Sequence, residues 1–117
     1  MRIFWMLIAG LAAGALPSLA AERAADGRVL ALDACAACHQ VGPGDPMPPL
    51  VRNGEEQRGV RAPPFADIAR DPRKDGVYLR GVVRHPHYPM KEQAIEADDL
   101  DAVVAYIESL RPPHGTR

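Results

Sequence analysis

The clearest hydrophobic pattern in the chain lies near its C-terminal end, in residues 97–110. Four apolar residues recur there at i, i+3, i+4 and i+7, the spacing of one face of an amphipathic helix: Leu100, Val103, Val104 and Ile107. Acidic residues crowd the first turn, where the helix dipole favours negative charge. The pattern therefore predicts a helix over 97–110, which the prolines at 112 and 113 end.

A second helix is predicted over residues 23–38. Its apolar residues repeat at intervals of three or four positions, at Ala25, Val29, Leu32 and Ala36. Gly27 is unfavourable inside a helix, by roughly 1 kcal/mol relative to alanine. We therefore expect the backbone of another helix to pass close to Gly27.

The middle of the chain is predicted to hold two shorter helices and long loops. Residues 64–70 place Phe65 and Ile68 inward, and residues 75–84 carry apolar pairs one turn apart, Tyr78/Val82 and Leu79/Val83. Residues 40–66 are mostly loop, because prolines and glycines interrupt any regular element, and Asn53-Gly54 marks a turn. No segment shows a convincing strand pattern, so the expected fold class is all-α.

Composition limits the chain to one small domain. It has 117 residues, of which 47% are hydrophobic and 25% charged, with a formal net charge of −1. This length leaves no room for a second core. The charge balance does not favour nucleic-acid binding. Charge is unevenly distributed along the chain: residues 91–110 contain six acids, whereas residues 52–84 carry a net positive charge. We predict no partner from this asymmetry.

The first 20 residues are typical of a secretory signal peptide. Arg2 precedes an apolar run from Ile3 to Leu16, and the small residues Ser18 and Ala20 fit cleavage before Ala21. The alternative is a retained membrane anchor, but the run is shorter than the ~20 residues that span a bilayer. The predicted domains are the signal peptide, 1–20, and one mature domain, 21–117, located in the periplasm.

The candidate chemistry is concentrated in Cys35-Ala36-Ala37-Cys38-His39. Two thiols three positions apart, followed by a histidine, form the attachment signature of c-type haem. Each thiol could form a thioether with the porphyrin, which would place His39 under the iron as an axial ligand. Three other interpretations are a structural disulfide, a redox dithiol and part of a zinc site. The chain has no second cysteine pair for zinc.

The chain resembles the class I small monohaem cytochromes c over about residues 23–111. The resemblance rests on Gly27, the haem motif, Pro63-Pro64-Phe65, Pro89-Met90 and the apolar helix around Tyr106. It implies three to four helices wrapped around one covalently attached haem. It also implies that the first and last helices cross closely, with Gly27 and Tyr106 at the crossing.

In the family a methionine thioether completes the coordination of iron, and Met90 matches that residue. A thioether also suits haem iron and raises its reduction potential. His85, His87 and Met47 remain alternative ligands. The imidazole N–H of His39 is expected to donate to a carbonyl of either the Pro48-Pro49 or the Pro63-Pro64 segment. The chain departs from the family pattern at two positions. Lys91 directly follows Met90, and Glu96 stands at the cap of the helix that comes next.

The resemblance implies a one-electron carrier rather than an enzyme. It would use a single haem c held by Cys35 and Cys38, with His39 and Met90 as axial ligands. Its expected partners are membrane or periplasmic redox proteins. Peripheral contact with a membrane is compatible with this role, and no nucleic-acid partner is expected. The alternatives are a haem c subunit of a larger exported oxidoreductase and a haem protein that binds a small ligand.

Overall fold

A computed structural model of the chain describes residues 18–53 and 58–113. Within these ranges the elements are four helices and one short hairpin: α1 (Leu19–Ala34), β1 (Val51–Asn53), β2 (Arg58–Val60), α2 (Phe65–Arg70), α3 (Gly76–Arg84) and α4 (Ala97–Ser109). The all-α prediction is confirmed, with a two-stranded hairpin as the exception. Residues 1–17 of the predicted signal peptide lie outside the described residues.

Helix α4 forms as its hydrophobic pattern predicts. All four predicted apolar residues are buried, and Tyr106 joins them. Glu96 is the N-cap residue, and its side chain makes no capping hydrogen bond. The other helices pack around α4, so the core is a single cluster with α4 at its centre: Ala31, Val41, Phe65, Ile68, Ala69, Leu79, Leu100, Val103, Val104, Tyr106 and Ile107.

Helix α1 differs from its prediction in its bounds and in its buried face. It begins at Leu19, where Ser18 caps it, and ends at Ala34 rather than at residue 38. Its fully buried residues are Gly27 and Ala31, whereas Val29 is 69% exposed. The predicted apolar face was therefore wrong, because a close helix crossing selects small residues that a hydrophobicity pattern does not detect.

The expected close approach of another helix backbone at Gly27 is confirmed, and that backbone belongs to α4. A Cβ atom at this position would lie 1.9 Å from the carbonyl oxygen of Ala102 and 2.9 Å from the nitrogen of Val103. The resemblance paired Gly27 with Tyr106, which instead lies one turn further along α4. Backbone-to-backbone contact of this kind excludes any side chain.

The shorter helices follow their predictions closely. In α2, Phe65 and Ile68 are buried as expected. Helix α3 begins after Asp75, whose carboxylate caps the N–H of Tyr78 at 2.9 Å. Leu79 is buried, while Tyr78 is exposed. An ion pair joins α3 to α4, with Arg80 Nε donating to Asp101 Oδ1 at 2.6 Å.

The hairpin is a feature that the sequence analysis missed. Strands β1 and β2 are antiparallel, with Val51 opposite Val60, and Arg61 Nη1 donates to Pro48 O at 3.0 Å beside them. Strands of three residues are too short to show the alternation that identifies a strand. Asn53 of the predicted Asn53-Gly54 turn is the last residue of β1, and Gly54 lies outside the described residues. No helix in the described part of the chain is long and apolar enough to cross a membrane.

Gly27→Ala tests the helix crossing. The new Cβ must displace the α4 backbone, so we expect the free energy of unfolding to fall by about 1–3 kcal/mol, despite alanine's better helix propensity. The matched control is Gly81→Ala in α3, where a Cβ meets no atom within 4 Å and stability should rise by up to about 1 kcal/mol. Denaturant unfolding of both variants measures the difference. Equal effects would contradict the crossing.

Tyr106 should contribute both packing and a hydrogen bond. Tyr106→Ala should lower the free energy of unfolding by about 3–5 kcal/mol, because it removes a buried aromatic ring. Tyr106→Phe keeps the ring and should cost about 1–3 kcal/mol, because the carbonyl of Val41 loses its buried donor. A loss below about 1 kcal/mol for the alanine variant, in the same unfolding experiment, would contradict core packing.

Candidate functional site

The Cys35–His39 motif lies where α1 ends. Cys35 is the C-cap residue, and its N–H donates to Ala31 O at 2.8 Å. Beyond it the chain makes one further turn, in which Cys35 O accepts from the N–H groups of Cys38, at 3.1 Å, and His39, at 2.9 Å. The motif is therefore on a turn that follows the helix, rather than inside it as predicted.

The orientation of the His39 ring is set by a hydrogen bond to the chain. Nδ1 lies 2.8 Å from Pro63 O. A carbonyl can only accept, so Nδ1 carries the hydrogen and Nε2 keeps a lone pair for a metal. Of the two proline segments that the sequence left open, Pro63-Pro64 supplies the carbonyl. This bond makes the imidazole a stronger ligand.

The Phe65 ring packs against the His39 ring. Its ring centroid lies 5.4 Å from that of His39 and 6.5 Å from that of Tyr106. Because Phe65 is buried at the start of α2, the imidazole contacts the hydrophobic core through it. Helices α2 and α4 therefore both contribute to holding His39.

The two cysteines are both half-buried, and Cys35 packs against the core. Burial, with a smaller effect from Cys38, raises the pKa of the Cys35 thiol to about 11. A redox dithiol needs a thiolate of lowered pKa, so this environment is unfavourable for dithiol chemistry. A thioether carries no charge and suits the same partly buried position.

An open cavity of about 370 Å³ adjoins the motif. Ala36, Ala37 and His39 line one side of it, and the loop containing Met47 and Pro48 lines the other. Most of the lining side chains are apolar, and neither Cys35 nor Cys38 is among them. Met47, one of the alternative ligands, is about half exposed there.

Met90 lies on a different segment, the loop between α3 and α4. It is half-buried, and its N–H donates to His87 O at 2.9 Å in a turn that includes a cis Tyr88–Pro89 peptide bond. His85 and His87 are both exposed. Met90 does not line the cavity beside His39, so its role as an iron ligand stays a prediction.

Two residues near the motif were not identified from the sequence. Arg28 and Asp45 form a bidentate ion pair with N–O distances of 2.8 and 2.9 Å. They are 17 positions apart, one on α1 and one in a loop, and no spacing rule connects them. The only signal was the Gly-Pro-Gly-Asp sequence that ends at Asp45, which indicates a turn.

The donor set fits a covalently attached haem. Cys35 and Cys38 have the spacing of a CxxCH-type attachment motif and lie on one turn, and the hydrogen bond of His39 Nδ1 to Pro63 O leaves Nε2 unused. In residues 18–53 and 58–113, no group of three or more His, Cys, Asp or Glu side chains is arranged to hold a metal ion. The fit of this site to haem rests on the motif and its support by Pro63 and Phe65.

Comparison with known proteins identifies the family. The Cytochrome c family model matches residues 24–111, a range that runs from α1 through the motif to the end of α4. No curated protein and no solved structure gives a match. Membership implies a covalently bound c-type haem and electron transfer through it. The match covers well over half of the chain, and this protein therefore belongs to the cytochrome c family.

Proposed function

We propose that the protein is a periplasmic one-electron carrier with His39 and Met90 as axial ligands of a single haem. The observation that carries the proposal is the His39 imidazole, which is held by Pro63 O through Nδ1 and is free to bind iron through Nε2. When bound, the haem supplies the Fe(III)/Fe(II) couple. Residues of the chain meet the other requirements of electron transfer.

Those residues hold the cofactor, orient its ligand and exclude water. Cys35 and Cys38 would anchor it covalently, and apolar side chains beside the motif would limit its contact with water, which would disfavour the extra charge of the ferric form. Met90 is proposed to occupy the second axial position from the α3–α4 loop. With both axial positions occupied by protein, no position is left for a substrate, which supports a carrier rather than an enzyme.

A carrier of this kind exchanges electrons with other redox centres, so its proposed partners are membrane or periplasmic oxidoreductases. Docking must be weak enough for rapid release, and electrostatic complementarity increases the association rate more than the affinity. Export is supported by the family, whose domains are typically exported, and by the signal-like residues 1–20. The structure adds that Ser18, Leu19 and Ala20, which cleavage would remove from α1, are all exposed. Their loss removes the Ser18 cap without altering the core.

Substitution of Met90 tests the second ligand. The oxidised wild-type protein should show the weak near-infrared charge-transfer band of thioether-to-iron ligation, and Met90→Ala should lose it. The reduction potential should also fall by on the order of 100 mV or more, because axial ligands vary haem potentials over about 0.8 V. Absorption spectra and a redox titration measure both quantities.

Met47→Ala is the matched control, since Met47 also lies in a proline-rich loop and lines the cavity beside His39. It should keep both the band and the potential. If Met47→Ala loses the band while Met90→Ala keeps it, the ligand is Met47. If the wild-type protein has bound haem but no such band, a histidine or solvent occupies the position, and His85→Ala and His87→Ala would distinguish these cases.

The mature chain should begin at Ala21. Intact-mass measurement of the periplasmic protein should show residues 21–117 plus one haem. Ala20→Arg should block processing, because the cleavage site requires small residues, whereas Ala25→Arg, also at an exposed position of α1, should not. A protein that keeps residues 1–20 and fractionates with the membrane would contradict periplasmic release.

A further inference from the structure

Three polar side chains from distant parts of the chain meet beside the loop that follows the haem motif. Arg28 on α1 binds Asp45 through both guanidinium nitrogens, with Nη2 donating to Oδ1 at 2.8 Å and Nη1 to Oδ2 at 2.9 Å. Nη1 also donates to the hydroxyl oxygen of Tyr106 at 3.2 Å. We call these three residues the Arg28 clamp.

The clamp is connected to α4 and to the loop backbone. The Tyr106 hydroxyl donates to Val41 O at 3.0 Å, and the Arg28 guanidinium carbon lies 5.9 Å from the centroid of the Tyr106 ring. Residue 41 is only two positions after His39. The clamp thus joins α1, α4 and the start of the loop.

Gly42 shows how closely the loop fits against the clamp. Its N–H donates to Asp45 Oδ2 at 2.7 Å. A Cβ atom on Gly42 would lie 2.6 Å from Arg28 Nη1, 2.9 Å from Asp45 Oδ2 and 3.2 Å from the Tyr106 hydroxyl. All three clamp side chains therefore surround one glycine, and no larger residue fits there without displacing them.

Two routes lead from the clamp to the His39 ring. In the first, Gln40 Nε2 donates to Asp45 O at 2.7 Å, while Gln40 O accepts from Phe65 N at 3.0 Å. In the second, the Tyr106 ring contacts Phe65, and Phe65 contacts His39. Both routes include Phe65, which lies two residues after the Pro63 carbonyl that binds His39 Nδ1.

We propose that Arg28, Asp45 and Tyr106 are positioning residues for the proximal ligand. By holding residues 40–45 and the Phe65 ring, the clamp keeps the His39 imidazole aligned with Pro63 O. The strength of the His39–Pro63 hydrogen bond determines how strongly the imidazole donates to iron. The clamp thereby tunes His39 as a ligand. This inference rests on the proposed ligation of iron by His39 and adds to it the residues that tune the ligand.

The ionisation of the clamp suits this role. The hydrogen bond from Arg28 lowers the pKa of the Asp45 carboxyl, so the carboxylate is charged at neutral pH. The Asp45 side chain is 20% exposed and that of Arg28 is 40% exposed, so water and salt screen this pair less than a fully exposed one. A bidentate arginine–carboxylate pair also restricts orientation more than a single hydrogen bond does.

The test is the exchange rate of the His39 Nδ1 proton in the reduced holoprotein, followed by NMR in deuterated water. Asp45→Asn keeps the size of the side chain but removes the negative charge to which Arg28 binds. We expect exchange about tenfold faster than in the wild type, because the His39–Pro63 bond opens more often when a charge-assisted anchor is lost. If this variant gives no holoprotein, Arg28→Lys keeps the charge, removes the bidentate geometry and should have the same effect.

Asp101→Asn is the matched control. It breaks an arginine–aspartate pair with Arg80 on α3, whose two side chains are each 38% exposed, and the clamp residues are not involved in it. Exchange of the His39 proton should stay at the wild-type rate. An unchanged His39 rate in Asp45→Asn overturns the proposal. Equal acceleration in Asp45→Asn and Asp101→Asn also overturns it, because the effect would then be general destabilisation.

Failure of the proposed ligation would be seen separately, in the wild-type protein itself. If the reduced wild type shows no iron-bound imidazole resonance from His39, the assignment of the axial ligand is wrong. If that resonance is present and only the variants fail to respond, the ligand assignment stands and the clamp has no positioning role.

Discussion

The contact between the backbones of α1 and α4 at Gly27 is the constraint on which the rest of the structure depends. With the Ala102 carbonyl where a Cβ atom would be, the two helices are held at one separation and one register. That register decides where α1 ends relative to the core. It therefore places Cys35 against buried residues and directs the following turn toward Pro63 and Phe65. A larger residue at position 27 would shift the motif as a whole.

The loop between the motif and α2 depends on polar contacts as much as on packing. Its start is held by Arg28 through Asp45, by the Tyr106 hydroxyl through Val41 O and by Phe65 N through Gln40 O. Prolines further along reduce the entropy of the unfolded chain. These contacts hold the His39 imidazole in one orientation, and such preorganisation is what a functional site requires.

The success of each sequence prediction follows from the range of the interaction behind it. Helix α4 was predicted well because its buried face is made of large apolar residues at helical spacing. Helix α1 was predicted with the wrong face because Gly27 and Ala31 are buried for their small size. The hairpin was missed because strands of three residues carry no measurable alternation. Helices α2 and α3 were found because apolar residues recur in them at helical spacing, as Phe65 and Ile68 do in α2 and Leu79 and Val83 in α3.

The sequence by itself determined the chemistry of the site and the family: the Cys35–His39 spacing, the helical segments and the order of the motifs are local features that can be read along the chain. Tertiary structure decided which carbonyl receives the His39 proton, which backbone meets Gly27 and which carboxylate pairs with Arg28. These contacts join residues 24, 75 and 17 positions apart. No local propensity specifies them, because they depend on how the helices pack and on how the loop is placed over that packing.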